Sequence, residues 1–296
     1  MPQQMTITAV ERETGIGKDT LRVWERRYGF PQPRRDANDE RLYPPEQVVH
    51  LRLIKRLIDQ GHRPGKLFSI SQEERLLLAD PSPAAAPAES TEQHTLISQI
   101  FALIKSHDAQ GLWQTLNQLM MRQGLQHFVI DTVVPLNHAV GESWMHGELD
   151  IFEEHLYSEQ MGSLLRQSIS KLPRENLGKT RLLLTTVPNE QHALGLLMAE
   201  SLFALEGANC ISLGTQTPLL EIQRAAAAHR ADIVALSFSQ AFPIRQIAPL
   251  LNQLRAMLPL STELWAGGKI TGKLAHIEGV ITLPTLEKGL AELRAR

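Results

Sequence analysis

Glu190 and His192 stand two residues apart in the stretch Arg181 to Gly195, RLLLTTVPNEQHALG, and Gly195 follows three residues on. A neutral imidazole is a common metal ligand, and its other ring nitrogen usually needs a partner. A carboxylate two residues back can supply one. Ser237-Phe238-Ser239 and Gly267-Gly268 are the next small, polar clusters. Each follows an apolar run, Asp232 to Leu236 and Glu263 to Ala266. Alone, His192 also reads as an ordinary exposed residue at the start of a helix.

The elements that must position these residues are legible. Leu182, Leu183 and Leu184 form a continuous apolar run, as a strand covered on both faces requires. Pro188 and Asn189 break it, and Leu194, Leu197, Met198 and Leu202 then recur at helical spacing. The loop carrying His192 thus lies at the carboxyl end of a parallel strand, where open α/β sheets bind ligands. Strands are expected at about 180–186, 208–213, 231–238, 262–266 and 279–283, alternating with helices. That alternation predicts a flavodoxin-like, five-stranded parallel α/β domain over 179–296.

The spacing carries a resemblance. Forty-one residues separate Gly195 from Ser237 and twenty-seven separate Ser239 from Gly267. The pattern resembles the cobalamin-binding module, whose signature is Asp-x-His-x-x-Gly, then Ser-x-Leu or a variant, then Gly-Gly. The resemblance implies that His192 replaces the cofactor's own dimethylbenzimidazole as lower cobalt ligand. It implies a nucleotide tail inserted between strands, with Ser237, Gly267 and Gly268 leaving it room and Ser239 beside them among the cofactor-binding residues. Glu190 departs from the Asp of many members, although the regulatory branch is known for Glu.

Charge is distributed unevenly. Lys18 to Lys66 holds twelve basic and seven acidic residues, a net +5 in a chain of −2. A basic block on an acidic remainder suggests nucleic acid. A short helix ending at Gly15 and a second opening at Asp19-Thr20-Leu21 read as a helix-turn-helix. Arg34-Arg35 and Arg41-Leu42-Tyr43 read as a hairpin wing, and Pro44-Pro45-Glu46 opens a further helix. The stretches TLRVWERRYGFPQPRR and ERLYPPEQVVHLRLIKRLIDQG resemble the MerR family of winged-helix DNA-binding domains, over 1–78. By that resemblance Lys18, Thr20, Arg22 and Arg26 lie on or beside the major-groove helix. Arg34, Arg35, Arg41 and Tyr43 would contact phosphate.

Residues 79–91, rich in Pro, Ala and Ser, read as an extended linker. Four apolar stripes over 92–178 predict a four-helix bundle. Such a bundle usually lies over the upper face of the cofactor in the resembled module, with Trp, nine residues, then Glu-His. Trp144 and Glu154-His155 meet that spacing. Taken by themselves, Trp144 reads as core and Glu154-His155 as surface. Best-understood members place a His directly after this Trp; here Met145 follows and His146 comes next.

The three parts together resemble the CarH/LitR type of cobalamin-dependent repressors. The resemblance implies operator DNA as partner, and adenosylcobalamin, with methylcobalamin as an alternative, as cofactor. It implies a homo-oligomer of up to four chains when the cofactor is bound, and dissociation in light. A regulator acting through a protein partner without cobalamin, and a methyltransferase or mutase component, are the rival readings. The basic winged helix and the lack of room for a catalytic barrel of about 250 residues disfavour the enzyme. The single cysteine, Cys210, excludes a disulfide framework and fits the cytoplasm. No stretch is long and apolar enough to suggest a membrane span.

Overall fold

The computed structural model describes residues 4–36, 39–59, 61–79, 91–172 and 180–296. Most of the expected linker, 80–90, lies outside them. The chain forms two compact units, one of residues 1–91 with 140–150 and one of 92–139 with 151–296.

In the first unit, β1 (Met5–Thr6) leads into α1 (Ile7–Thr14), whose N-terminus is capped by the Thr6 side chain. Gly15 ends that helix at φ 67, a left-handed value that a glycine takes without steric cost. The second helix, α2 (Lys18–Tyr28), ends the same way at Gly29. β2 (Arg34–Arg35) and β3 (Arg41–Tyr43) form the wing, with Arg35 opposite Arg41. The two-residue β1 also pairs with β3, which the sequence did not announce. α3 (Pro45–Asp59), α4 (Pro64–Ser69) and α5 (Gln72–Ala79) complete it. Val10, Leu21, Trp24, Leu51 and Ile54 share one core, and Phe68 of α4 stacks on Tyr28 at 4.3 Å.

The second unit opens with α6 (Thr91–Lys105) and α7 (Ala109–Gln123). A short α8 (Leu125–His127) runs through a π-helical stretch, Phe128–Val133, into α9 (Val134–Met145). α10 (Ile151–Ser170) follows. These are the four expected stripes; the π segment was not foreseen, since an extra residue per turn leaves no composition signal. The last six residues of α9 and the turn after it, Val140–Asp150, belong to the first unit.

The sheet follows: β4 (Arg181–Thr185), β5 (Asn209–Ser212), β6 (Ile233–Ser237), β7 (Glu263–Gly267) and β8 (Val280–Leu283). Its order is β5-β4-β6-β7-β8, all parallel, as expected of a flavodoxin-like domain. The connecting helices are α11 (Leu194–Leu205), α12 (Leu219–His229) and α13 (Ile244–Met257); α14 (Leu286–Arg294) closes the chain. Leu182, Leu183 and Leu184 are all fully buried, which explains the unbroken apolar run. The order reverses between β4 and β6, so the loops after these strands diverge and leave a crevice at their carboxyl ends.

Gly267 and Gly268 differ. A side chain at Gly267 would make only ordinary contact, 3.6 Å from the Leu236 carbonyl. Gly268 sits at φ 117, and a Cβ there would overlap the Phe238 carbonyl. Gly268→Ala should therefore destabilise the domain by about 3 kcal/mol or more, whereas Gly267→Ala should cost under about 1.5 kcal/mol. Denaturant unfolding of the two variants checks this; equal losses would refute it.

Candidate functional site

The site is built on the crevice between β4 and β6. After β4 the chain turns through Asn189, at φ 70, a conformation asparagine tolerates better than most residues. Thr186 is fully buried and its hydroxyl pins the loop: it donates to the Glu190 carbonyl at 2.6 Å and accepts the Gln216 N–H at 2.8 Å. Glu190 is thereby turned inward, with 1% of its surface exposed.

Its carboxylate is held by four donors. Oε1 accepts the His192 N–H at 3.0 Å and faces His192 Nδ1 at 2.7 Å. Oε2 accepts the Ser239 N–H and the Ser239 hydroxyl, both at 2.8 Å. Ser239, expected among the cofactor-binding residues, clamps Glu190. Charge-assisted bonds of this kind are worth about 1.5–3 kcal/mol each, enough to keep a buried carboxylate ionised. Burial pushes the Glu190 carboxyl up, but the His192 hydrogen bond and charge, with both N–H groups, outweigh it and hold it below the ordinary range. The Glu190 hydrogen bond lifts His192 above the ordinary histidine range, against the lowering by burial; the Glu190 and Glu154 charges add to the rise. The His192 side chain is 61% exposed, so its Nε2 is directed to whatever occupies the crevice.

The remaining expected residues divide. Gly195 lies against Ser237: a Cβ there would approach the Ser237 hydroxyl to 2.9 Å, so helix α11 needs glycine to pack on β6. His155 is exposed, with Nδ1 2.7 Å from its neighbour Glu154, which also accepts from the Ser158 hydroxyl at 2.5 Å. Sequence reasoning missed Thr186, since a threonine at a strand end carries no distinguishing spacing. Among the described residues no group of three His, Cys, Asp or Glu could hold a metal ion. A cobalt already held in a corrin ring would need only one further donor from the protein, and His192, its far nitrogen fixed by Glu190, would be suited to supply it.

Trp144 lies in the first unit. The Arg52 guanidinium stands 4.9 Å above its ring, donates to its carbonyl at 3.4 Å and pairs with Glu13. Arg56 donates to Glu142 at 3.0 Å and meets the Met145 sulfur. Met145 is buried and His146 exposed.

On the basic face, Thr20, Arg22 and Arg26 of α2 and Arg34 and Arg35 of the wing are exposed. Lys18 is half-buried beside Glu11, 3.5 Å away. Arg41 donates from Nε to Glu25 at 2.8 Å, tying the wing to α2. Tyr43, expected at phosphate, is fully buried in the core of the unit. Its ring belongs to the core shared by Val10, Leu21, Leu51 and Ile54, away from the surface a duplex could touch.

Comparison with known proteins gives two family matches, both before the sheet. Residues 5–67 match the MerR HTH family regulatory protein domain, and residues 96–167 match the B12 binding domain. The chain thus carries a MerR-type HTH domain and a B12-binding domain. It is homologous to the HTH-type transcriptional repressor CarA of Myxococcus xanthus, with 29% identity over 281 residues, 94% of this chain and 91% of the relative. The repressor CarH of the same organism is 29% identical over 263 residues, 86% of this chain and 85% of CarH. The monomethylamine corrinoid protein of Methanosarcina barkeri shares the fold, with a TM-score of 0.53 at 15% identity, over 69% of this chain and 100% of that one. With repressors as its homologues, the regulator is not an enzyme. None of its described helices is long and apolar enough to cross a membrane.

The pair Glu190–His192 sets a pH window. His192 is raised, so its share of the stabilisation is complete below the ordinary histidine range and is lost as pH climbs through the raised value. Glu190 is depressed, so its share is complete above the ordinary carboxylate range and is lost as pH falls through the depressed value. Glu190→Gln should bring the His192 titration, followed by NMR of the ring protons, down toward the ordinary range. An unmoved titration would show that Glu190 does not set it.

Proposed function

We propose that the regulator binds cobalamin, with adenosylcobalamin as first choice over methylcobalamin, and represses transcription as a cofactor-controlled, light-responsive homo-oligomer on operator DNA. The observation that supports it most is the fixed orientation of His192: Nδ1 is committed to a buried carboxylate, leaving Nε2 as an outward donor. His192 would ligate cobalt from below, with Glu190 and Ser239 holding its tautomer and Gly195, Ser237, Gly267 and Gly268 shaping the crevice. Trp144, Glu154 and His155 would line the upper side. Cobalamin, when bound, supplies a cobalt–carbon bond that light can break. A ligand of this kind stabilises an assembly only by binding it better than its parts. Exposed Thr20, Arg22 and Arg26 would read the major groove, with Arg34 and Arg35 on phosphate and Lys18 and Arg41 beside them. The reading places the regulator in the cytoplasm with its operator.

Reconstitution with adenosylcobalamin in the dark should give a cobalt–imidazole absorption spectrum and a larger particle, and illumination should reverse the size. His192→Ala should lose the spectral signature and weaken binding at least tenfold. Because a proton and cobalt compete for Nε2, wild-type affinity should rise as pH passes upward through the His192 pKa. Unchanged spectrum and affinity in His192→Ala would sink the ligand assignment.

Binding to operator DNA should weaken steeply with salt, as phosphate contacts release counterions. Arg22→Ala should cost about 1–3 kcal/mol on the operator and little on unrelated duplex. Equal losses on both sequences would reassign Arg22 to phosphate.

A further inference from the structure

α2 has two faces. Leu21 and Trp24 are buried in the core of the DNA-binding unit, with Tyr28 packed against that core. Val23 is 41% exposed and takes no part in it. At about 100° per residue, Val23 stands about 200° round the helix from Leu21 and about 100° from Trp24. Its neighbours on the helix surface, three and four residues away, are Asp19, Thr20, Arg26 and Arg27, all exposed. An apolar side chain thus sits inside the polar, cation-bearing face. Arginine stems commonly cover such a group. Here Arg27 is turned to the Tyr28 ring, 5.4 Å from its centre, and Arg22 to Asp19 at 2.9 Å.

A single exposed valine is ordinary on a protein surface, so its place on the helix decides the reading. The fold gains nothing from valine at this position, because a β-branched residue is a poorer helix former than alanine. A helix lying in the major groove points the middle of such a face at the base edges. Those edges present hydrogen-bond donors and acceptors, and among the four bases only thymine adds a methyl group, on C5. An isopropyl group pressed on a donor or acceptor would desolvate it without replacing its hydrogen bond. Against a methyl group it loses nothing and buries apolar surface on both sides.

We propose that Val23 is a specificity-determining residue that packs on the C5 methyl of one thymine in the bound duplex. This rests on the reading of α2 as the helix that enters the major groove. It gives Val23 a task that Arg22 and Arg26 cannot perform, since a guanidinium group seeks acceptors.

The test uses the full chain with adenosylcobalamin in the dark, at one salt concentration. Duplexes are enriched from a random-sequence pool. Each thymine of the enriched sequence is then replaced singly by uracil, which removes the methyl group alone. The wild-type chain should lose about three- to tenfold in affinity at one thymine, or at one in each repeat of the sequence, and under about twofold at the others. Val23→Ala should show a similar loss on the unmodified duplex and no further loss from that uracil. Its binding to unrelated duplex should match the wild type, because the phosphate contacts remain. Each uracil ratio compares two duplexes on one protein sample, so any loss of folded protein cancels. If no sequence is enriched, the reading of α2 fails and the proposal with it. If a sequence is enriched without such a thymine, or the uracil loss is as large in Val23→Ala as in wild type, only the role of Val23 fails.

Discussion

One buried carboxylate organises the ligand end of the sheet. Glu190 is nearly inaccessible to water, so its charge survives only because four donors converge on it. Those donors come from both sides of the β4–β6 crevice. The loop after β4 supplies His192, and the loop after β6 supplies Ser239. The sheet order is what makes the convergence possible, since β4 and β6 are neighbours whose following loops diverge. The carboxylate therefore does two things, one with each oxygen. It closes the base of the crevice, and it fixes which imidazole nitrogen faces outward.

Much of this was legible before any coordinates. The central strands announced themselves because their middle residues are covered on both faces and are apolar. The helix-turn-helix was legible because Gly15 and Gly29 mark left-handed helix ends. The Glu190-x-His192 pair was legible because both groups lie on one short loop, where two residues of separation fix their distance.

What stayed hidden depended on contacts between distant segments. Ser239 stood out only as part of a small, polar cluster, and it is a hydrogen-bond donor to Glu190 across 49 positions. Gly268 looked like tail space, and its own backbone conformation forbids a side chain. Arg41 read as free to meet phosphate, yet Glu25 already claims its Nε. Tyr43 read as a surface aromatic because three wing residues cannot reveal which side of a hairpin is buried. The docking of 140–150 onto α3 was invisible for a further reason. Arg52 and Arg56 fit a basic DNA-binding block equally well, so charge patterning could not separate them from Arg22 or Arg26.

The strength of that docking suits a regulator. A cation–π contact with a desolvated arginine is worth about 2 kcal/mol, and the Arg56–Glu142 pair, partly screened, adds up to about 1 kcal/mol. A core of leucines over the same area would hold the segment by considerably more. Allosteric couplings between ligand sites commonly amount to about 1–3 kcal/mol. A hold of matching size can be strengthened or released by one binding event, whereas a leucine core could not. The polar, arginine-centred contact between α3 and 140–150 is thus a releasable joint inside the first unit.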